Sequence, residues 1–227
     1  MGLRFFCILI LGIFACSKVN QWKQPTKINF NVDLVEQSSL NGKLNFESGY
    51  WSIERFNFDG IRTEGANVYF TKEYSTFLEV VFGNRLLQEL QFDIPQGIYS
   101  SIMIRLESSF KDRPNLTLEG RYEDLTGKKH PIRFELKENE TFTIEGKSLD
   151  NSNNSINLLS DVPTNATITV PVNQWFSKVT EQLLASAESV SINGINTILI
   201  NSTVNKPIYD LIVETLNDQS LNAVIVQ

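Results

Sequence analysis

Residues Leu90–Leu106, LQFDIPQGIYSSIMIRL, decide the fold class. Leu90, Phe92 and Ile94 alternate with polar residues, and Ile102, Ile104 and Leu106 repeat the pattern. That is the period-2 signature of two half-buried strands. Between them stands Pro95-Gln96-Gly97. Proline pre-sets φ at the first corner of a turn, and glycine suits the exit. A strand, a tight reversal or arch, and a second strand are expected, with Gly97 in a backbone conformation that other residues resist.

The same alternation extends in both directions. Ile28, Phe30, Val32 and Leu34 point one way; Asn41-Gly42 signals a hairpin, followed by Leu44 and Phe46. Trp51 and Ile53 give way to Phe56 and Phe58 with a change of face, which predicts a bulge or loop. Asp59-Gly60 and Glu64-Gly65 bracket an expected turn, and Phe77–Phe82, apolar on both faces, reads as a central strand. Leu116/Leu118, Ile132/Phe134/Leu136, Phe142/Ile144 and Ile168/Val170 continue the series. About ten short strands at this spacing describe a sandwich or barrel. The absence of helical patterns between them argues against a parallel α/β sheet.

Beyond Pro171 the period becomes helical. Phe176, Val179, Leu183 and Ala187 form one stripe with Asn173 as cap; Ile208, Leu211, Ile212 and Leu216 form another with Pro207 in the first turn. Leu221–Val226 reads as a last strand. The expected fold is mainly β: an antiparallel β-sandwich over residues 27–172, with residues 173–227 a small α/β appendage packed on it.

Cysteine and charge narrow the chemistry. The 227 residues are 41% hydrophobic and 20% charged, with formal net charge −6. Without residues 1–15 the chain loses Arg4 alone, leaving 19 basic against 26 acidic side chains, or −7. Such a balance repels phosphate backbones, so no nucleic-acid partner is expected. Cys7 and Cys16 are the two cysteines and His130 the one histidine, which speaks against thiol, zinc or iron chemistry. No cofactor is expected: the sequence has neither GxxxxGK[ST] nor GxGxxG. A nucleophile elbow is absent too, and His130 before Pro131 reads as a turn histidine. Asp150–Asn154 with Asp161 echoes a calcium loop, but the sixth position is Ser155 and no glutamate closes it. Asp59 and Glu64 could flank a glycosidic bond, yet nothing in the sequence pairs them. Asn115, Asn139, Asn153, Asn165 and Asn201 open N-x-[ST] sequons, as an Asn-rich composition produces. Tyr50, Trp51, Tyr69, Tyr74 and Tyr122 are the candidate ligand contacts, since aromatic faces on strands can stack on sugars; burial is the competing use of such rings.

Met1–Ala15, MGLRFFCILILGIFA, carries one cation and then an apolar run too short to span a bilayer. It matches the core of a secretory signal. Ile13-Phe14-Ala15-Cys16 resembles the lipobox of bacterial lipoproteins, in which the cysteine is acylated and the leader cut before it. Ile13 spoils the small-residue pattern of an ordinary cleaved signal. On this reading residues 1–15 are the leader, and residues 16–26 the lipidated Cys16 and a polar tether. Cys16 followed by sandwich strands and Phe92-Asp93-Ile94-Pro95-Gln96-Gly97-Ile98-Tyr99 resembles Bacteroidota-type cell-envelope lipoproteins with a domain of unknown function. In those a P-x-G-x-Y turn joins two strands of an immunoglobulin- or prealbumin-like sandwich. The resemblance implies an outer-membrane lipoprotein held by its lipid anchor, with a non-catalytic binding or structural role and a glycan or an envelope protein as partner. It implies no catalytic residue. Ser17–Gln21 has none of the acidic residues that direct such proteins to the surface, so both faces of the membrane stay open. A carboxylate-dependent hydrolase such as a glycosidase, and an adhesin or assembly component, are the alternatives.

Overall fold

The structure, a computed structural model, describes residues 24–34, 39–82, 87–109, 113–148, 155–159, 162–218 and 221–226. The leader, Cys16, Asp150–Asn154 and Asp161 lie outside the described residues. Among the described residues thirteen strands follow in chain order: β1 Pro25–Leu34, β2 Leu44–Arg62, β3 Val68–Val81, β4 Gln91–Pro95, β5 Gly97–Ser108, β6 Leu116–Glu123, β7 Lys129–Leu136, β8 Glu140–Ser148, β9 Ile156–Leu158, β10 Thr164–Val170, β11 Ser189–Ile192, β12 Ile195–Ile200 and β13 Leu221–Val226. Helices α1 Val172–Trp175, α2 Glu181–Ala185 and α3 Lys206–Asp218 complete the set.

The hydrogen-bonded order is β11-β12-β7-β6-β2-β5-β8-β13-β10-β1-β4, with β3 beside β2 and β9 beside β5. β2 is the pivot. Its first half pairs with β6 and its second half with β5, and the change of face between Ile53 and Phe56 is a register shift between Ile53 and Arg55. The sheet therefore turns over on itself. Phe30 of β1 and Phe92 of β4 lie 5.2 and 4.6 Å from the Phe56 ring of β2, although those strands are far apart in the order. This is the β-sandwich class the alternation predicts. Rings buried this way contribute roughly 1.5–3 kcal/mol each. The inward rows Ile28/Phe30/Val32/Leu34 and Ile102/Ile104/Leu106 are buried as expected.

The organising stretch is an arch. β4 bonds to β1, whereas β5 bonds to β2, β8 and β9, so Pro95-Gln96-Gly97 carries the chain between non-neighbouring strands. Gly97 has φ +143°, where side chains are disfavoured. The Tyr99 hydroxyl donates to the Pro95 carbonyl at 2.5 Å. Pro25, opposite Pro95 in the register, has no N–H to offer. Gln96 N donates to Gln24 O and Arg62 Nη2 to Gln96 O, both at 2.9 Å, and the Arg62 guanidinium lies 5.9 Å from the Tyr99 ring centre. Burial pushes the Tyr99 phenol up to about 12, against the opposing pull of Arg62.

Several expectations are corrected. β1–β10, β7–β12 and β8–β13 are parallel pairs, so the sheet is mixed rather than wholly antiparallel. Each joins strands distant in sequence, which local alternation does not reveal. Residues 173–227 are no appendage: β13 lies between β8 and β10, and β12 extends the sheet from β7. The stripe from Phe176 to Ala187 is not one helix: α1 ends at Trp175 with Phe176 as its C-cap, and within the stripe only Glu181–Ala185, α2, is helical; the Thr180 hydroxyl, not Asn173, caps α2 by accepting from Leu183 N. Phe176 lies 4.8 Å from Phe46 and Tyr209 5.9 Å from Phe134, so the helices fill the sandwich core. Among the described strands β3 bonds to β2 alone, so it is an edge rather than a central strand, and its outward Glu79 and Val81 stay exposed. Asp59 and Gly60 lie inside β2, and Gly60 is required there because a Cβ would come within 2.6 Å of the Tyr99 ring.

Candidate functional site

A groove of about 510 Å³ opens between β3 and the segment Gln88–Phe92, which is a one-turn 3-10 helix leading into β4. Its wall is built by a bulge. Arg55 of β2 faces Glu73 and Ile53 faces Leu78, so Glu54 alone on β2 is opposed by Tyr74, Ser75, Thr76 and Phe77 on β3. The surplus backbone arches away from β2 toward the 3-10 turn, and the Tyr74 hydroxyl closes the span by donating to Glu89 O at 2.9 Å. Burial, then the Glu89 carboxylate, pushes the Tyr74 phenol up to about 12.

Half-buried Phe92 forms the floor, backed by the Phe56 ring at 4.6 Å and the Phe70 ring at 5.0 Å. Tyr74 and Phe77 add aromatic surface, and Lys72, Glu73, Glu79, Gln88, Glu89 and Gln91 give a polar rim. Glu73 is held by Arg55 at 3.0 Å, and Arg55 also pairs with Glu107; Glu79 is held by Arg113. Asn57 extends the network, donating to Glu107 at 2.8 Å and accepting from Thr71 at 2.7 Å. Among the described strands β3 bonds to β2 and β4 to β1, so each presents a second backbone edge toward the groove. Apolar ring faces within a hydrogen-bonding rim suit a polar, extended ligand.

Of the predicted aromatic contacts the groove contains Tyr74. Trp51 and Tyr122 are corrected: each is 1% exposed and has no free ring face. Trp51 donates to Ser108 Oγ at 2.6 Å and packs edge-on against Phe142, while the Tyr122 hydroxyl reaches Glu181 O at 3.3 Å. Tyr50 is half-buried beneath the Arg113 guanidinium, 5.5 Å from its ring centre. Tyr69 is 60% exposed on the outer face, where it accepts from Asn67 Nδ2. These rings do not share one platform. The sequence reading missed Phe77 and Phe92 as site residues; the long polar run Thr71–Thr76 between Phe70 and Phe77 was the available signal on β3.

The remaining candidates have structural roles. Asp59 pairs with Arg105 at 2.7 Å, and Glu64 is exposed on the β2–β3 turn. His130 is corrected from a turn to strand β7, where it stands opposite Tyr122, its Nε2 2.7 Å from Asp124 Oδ2. Asp124 also accepts from Thr126 Oγ1 and from Thr126 N and Lys128 N, and these bonds hold its carboxyl well below the usual carboxylate range. Asn115 and Asn201 of the sequons are buried, donating to Glu138 O and Glu135 Oε2. Among the described residues no three His, Cys, Asp or Glu side chains converge as metal ligands, and no helix is long and apolar enough to cross a membrane. Comparison of the chain with models of protein families, with curated proteins and with solved structures finds no match to any of them.

Proposed function

We propose that the chain is an envelope lipoprotein anchored through acylated Cys16, with a non-catalytic binding domain whose ligand site is the β3–β4 groove. The observation that carries the binding reading is the groove itself: a bulge in β3 sets Tyr74 and Phe77 opposite a Phe92 floor, with amides and carboxylates around them. Carbohydrate is the ligand class that uses both, stacking its apolar face on rings and sharing hydroxyls with the rim. The carboxylates Glu73 and Glu79 on the β3 wall are occupied by Arg55 and Arg113. That favours holding over glycoside hydrolysis, which needs two carboxyl groups left to work across the bond.

A glycan array probed with the detergent-solubilised chain tests the ligand class. A specific hit should weaken roughly fivefold in Tyr74→Ala or Phe77→Ala, as expected for losing a ring contact of about 1 kcal/mol. A blank array would sink the carbohydrate reading, and turnover of a bound glycan would replace binding by hydrolysis. The anchor is tested separately: Cys16→Ser should release the chain from the membrane fraction or block its processing. Unchanged fractionation would remove the anchor reading.

A further inference from the structure

The end of the sandwich where the chain enters the fold carries an unusual share of its exposed apolar surface. Gln24 accepts from Gln96 N, and Arg62 donates to Gln96 O, so the first described residue lies on the arch. Around this point stand Ile61 (38% exposed), Ile98 (37%), Leu159 (45%) and Val162 (37%). Their placement is fixed by the backbone. Thr63 N donates to Ile98 O, Leu158 pairs with Gly97, and Thr26 Oγ1 donates to Val162 O. Two other exposed apolar residues, Leu125 on the β6–β7 turn and Ile195 at the start of β12, lie at the opposite end of β2, since Tyr122 pairs with Leu44 and Ile198 with Ile132.

The proposed anchor is close to the first of these ends. Seven residues separate Cys16 from Gln24, and the eight fully extended steps between them reach at most roughly 29 Å. Charges on the fold at this end are of both signs, Lys27 and Arg62 against Glu64 and Asp93, while the tether adds Lys18 and Lys23, so attraction to anionic headgroups is the competing cause of contact and the one that high salt removes.

From the short span and the ring of aliphatic side chains we infer that this end is a bilayer-contacting surface. Ile61, Ile98, Leu159 and Val162 rest on the interfacial region of the anchoring membrane, and this orients the groove relative to it. The inference rests on the lipid-anchor reading. The backbone puts these four positions at the surface without requiring aliphatic side chains there, whereas an interfacial contact gains free energy from each methylene it removes from water.

The chain's cysteine content makes the test clean. Cys7 and Cys16 are its only cysteines; a cleaved, acylated chain has no free thiol, so an engineered cysteine is the single labelling site. Full chains bearing Ile98→Cys, Leu159→Cys or, as far-end control, Ile195→Cys are produced with their own leader. They are reconstituted into phosphatidylethanolamine/phosphatidylglycerol vesicles containing spin-labelled lipid, and labelled with an environment-sensitive fluorophore. Labelling of the parent chain and the mass of its N-terminal peptide report acylation independently. The expected result is an unlabelled, acylated parent, with quenching at 98 and 159 exceeding that at 195 by roughly twofold or more, as interfacial insertion of a few ångströms implies, and unaffected by high salt. Val162→Cys replaces either variant that fails to fold. An acylated parent with equal quenching at the two ends overturns this inference and leaves the anchor standing. Quenching abolished by salt overturns the apolar contact. A parent that takes the label and carries no acyl chain removes the anchor reading and this inference with it.

Discussion

Removing one oxygen from the arch, by Tyr99→Phe, tests whether the P-x-G-x-Y sequence works as a lock. The ring stays, so its packing against Gly60 and its contact with the Arg62 guanidinium persist. What is lost is the 2.5 Å bond from the Tyr99 hydroxyl to Pro95 O. The residue opposite that carbonyl is Pro25, which has no N–H to take the place of the hydroxyl. A typical net hydrogen bond contributes about 1 kcal/mol, and an acceptor left unpaired in a partly buried site adds to the loss. The expected destabilisation is about 1–2 kcal/mol. Equilibrium urea unfolding of residues 24–227, followed by tryptophan fluorescence, measures it, because Trp51 and Trp175 are both buried in the folded chain. A lower midpoint with an unchanged slope is expected. A midpoint equal to that of the parent would refute the lock and leave Tyr99 as an ordinary core ring.

Two further predictions use the same unfolding measurement. Gly97→Val places a β-branched residue at φ +143° and should cost roughly 1–3 kcal/mol, the range for strained backbone; an unchanged midpoint would show that the arch tolerates any residue there. Alkaline stability should also fall. Tyr74 and Tyr99 are raised to about 12 in the folded chain, whereas an unfolded tyrosine ionises near about 10. Between those values the unfolded chain has released protons that the folded chain retains, so stability drops as pH rises from about 10 to 12. Urea midpoints across that window should decline, and decline less in Tyr99→Phe; a flat profile would refute the assignment.

Face and phase were legible in the sequence because they depend on near neighbours. Trp51 shares its phase with Ile53, and Tyr122 with Leu116 and Leu118, so the period that placed those aliphatics inward also placed the two rings inward. Treating them as ligand contacts set composition above periodicity. Tyr50 and Tyr69, in the opposite phase, are the ones that reach solvent. Order in the sheet was not legible. Phe77–Phe82 has the composition of a central strand, yet β3 is an edge, because centrality is set by which distant segments pair with it. The groove depends on the same long-range information: its walls come from β3 and from the segment leading to β4, and each reads locally as an unremarkable strand. Tyr74 was found by residue type; Phe77 and Phe92 needed the bulge and the docking of β4 against β1.

The position of β13 has a consequence for when the chain can fold. Residues 221–226 bridge β8 to β10, with Leu221 beside Ile144 and Val226 beside Asn165. Until that segment is available the two strands have no shared partner, and β1, which waits on β10, is left on the far side of the gap. Pairings of such high sequence separation form late and slowly, since loop closure must be met before any ladder bond repays it. A chain emerging residue by residue would therefore hold β10, β1 and β4 apart from the ladder that runs from β11 to β8 until residues 221–226 had appeared. Such a delay leaves the apolar faces of those three strands uncovered for that interval, the state in which a chain is most prone to associate wrongly.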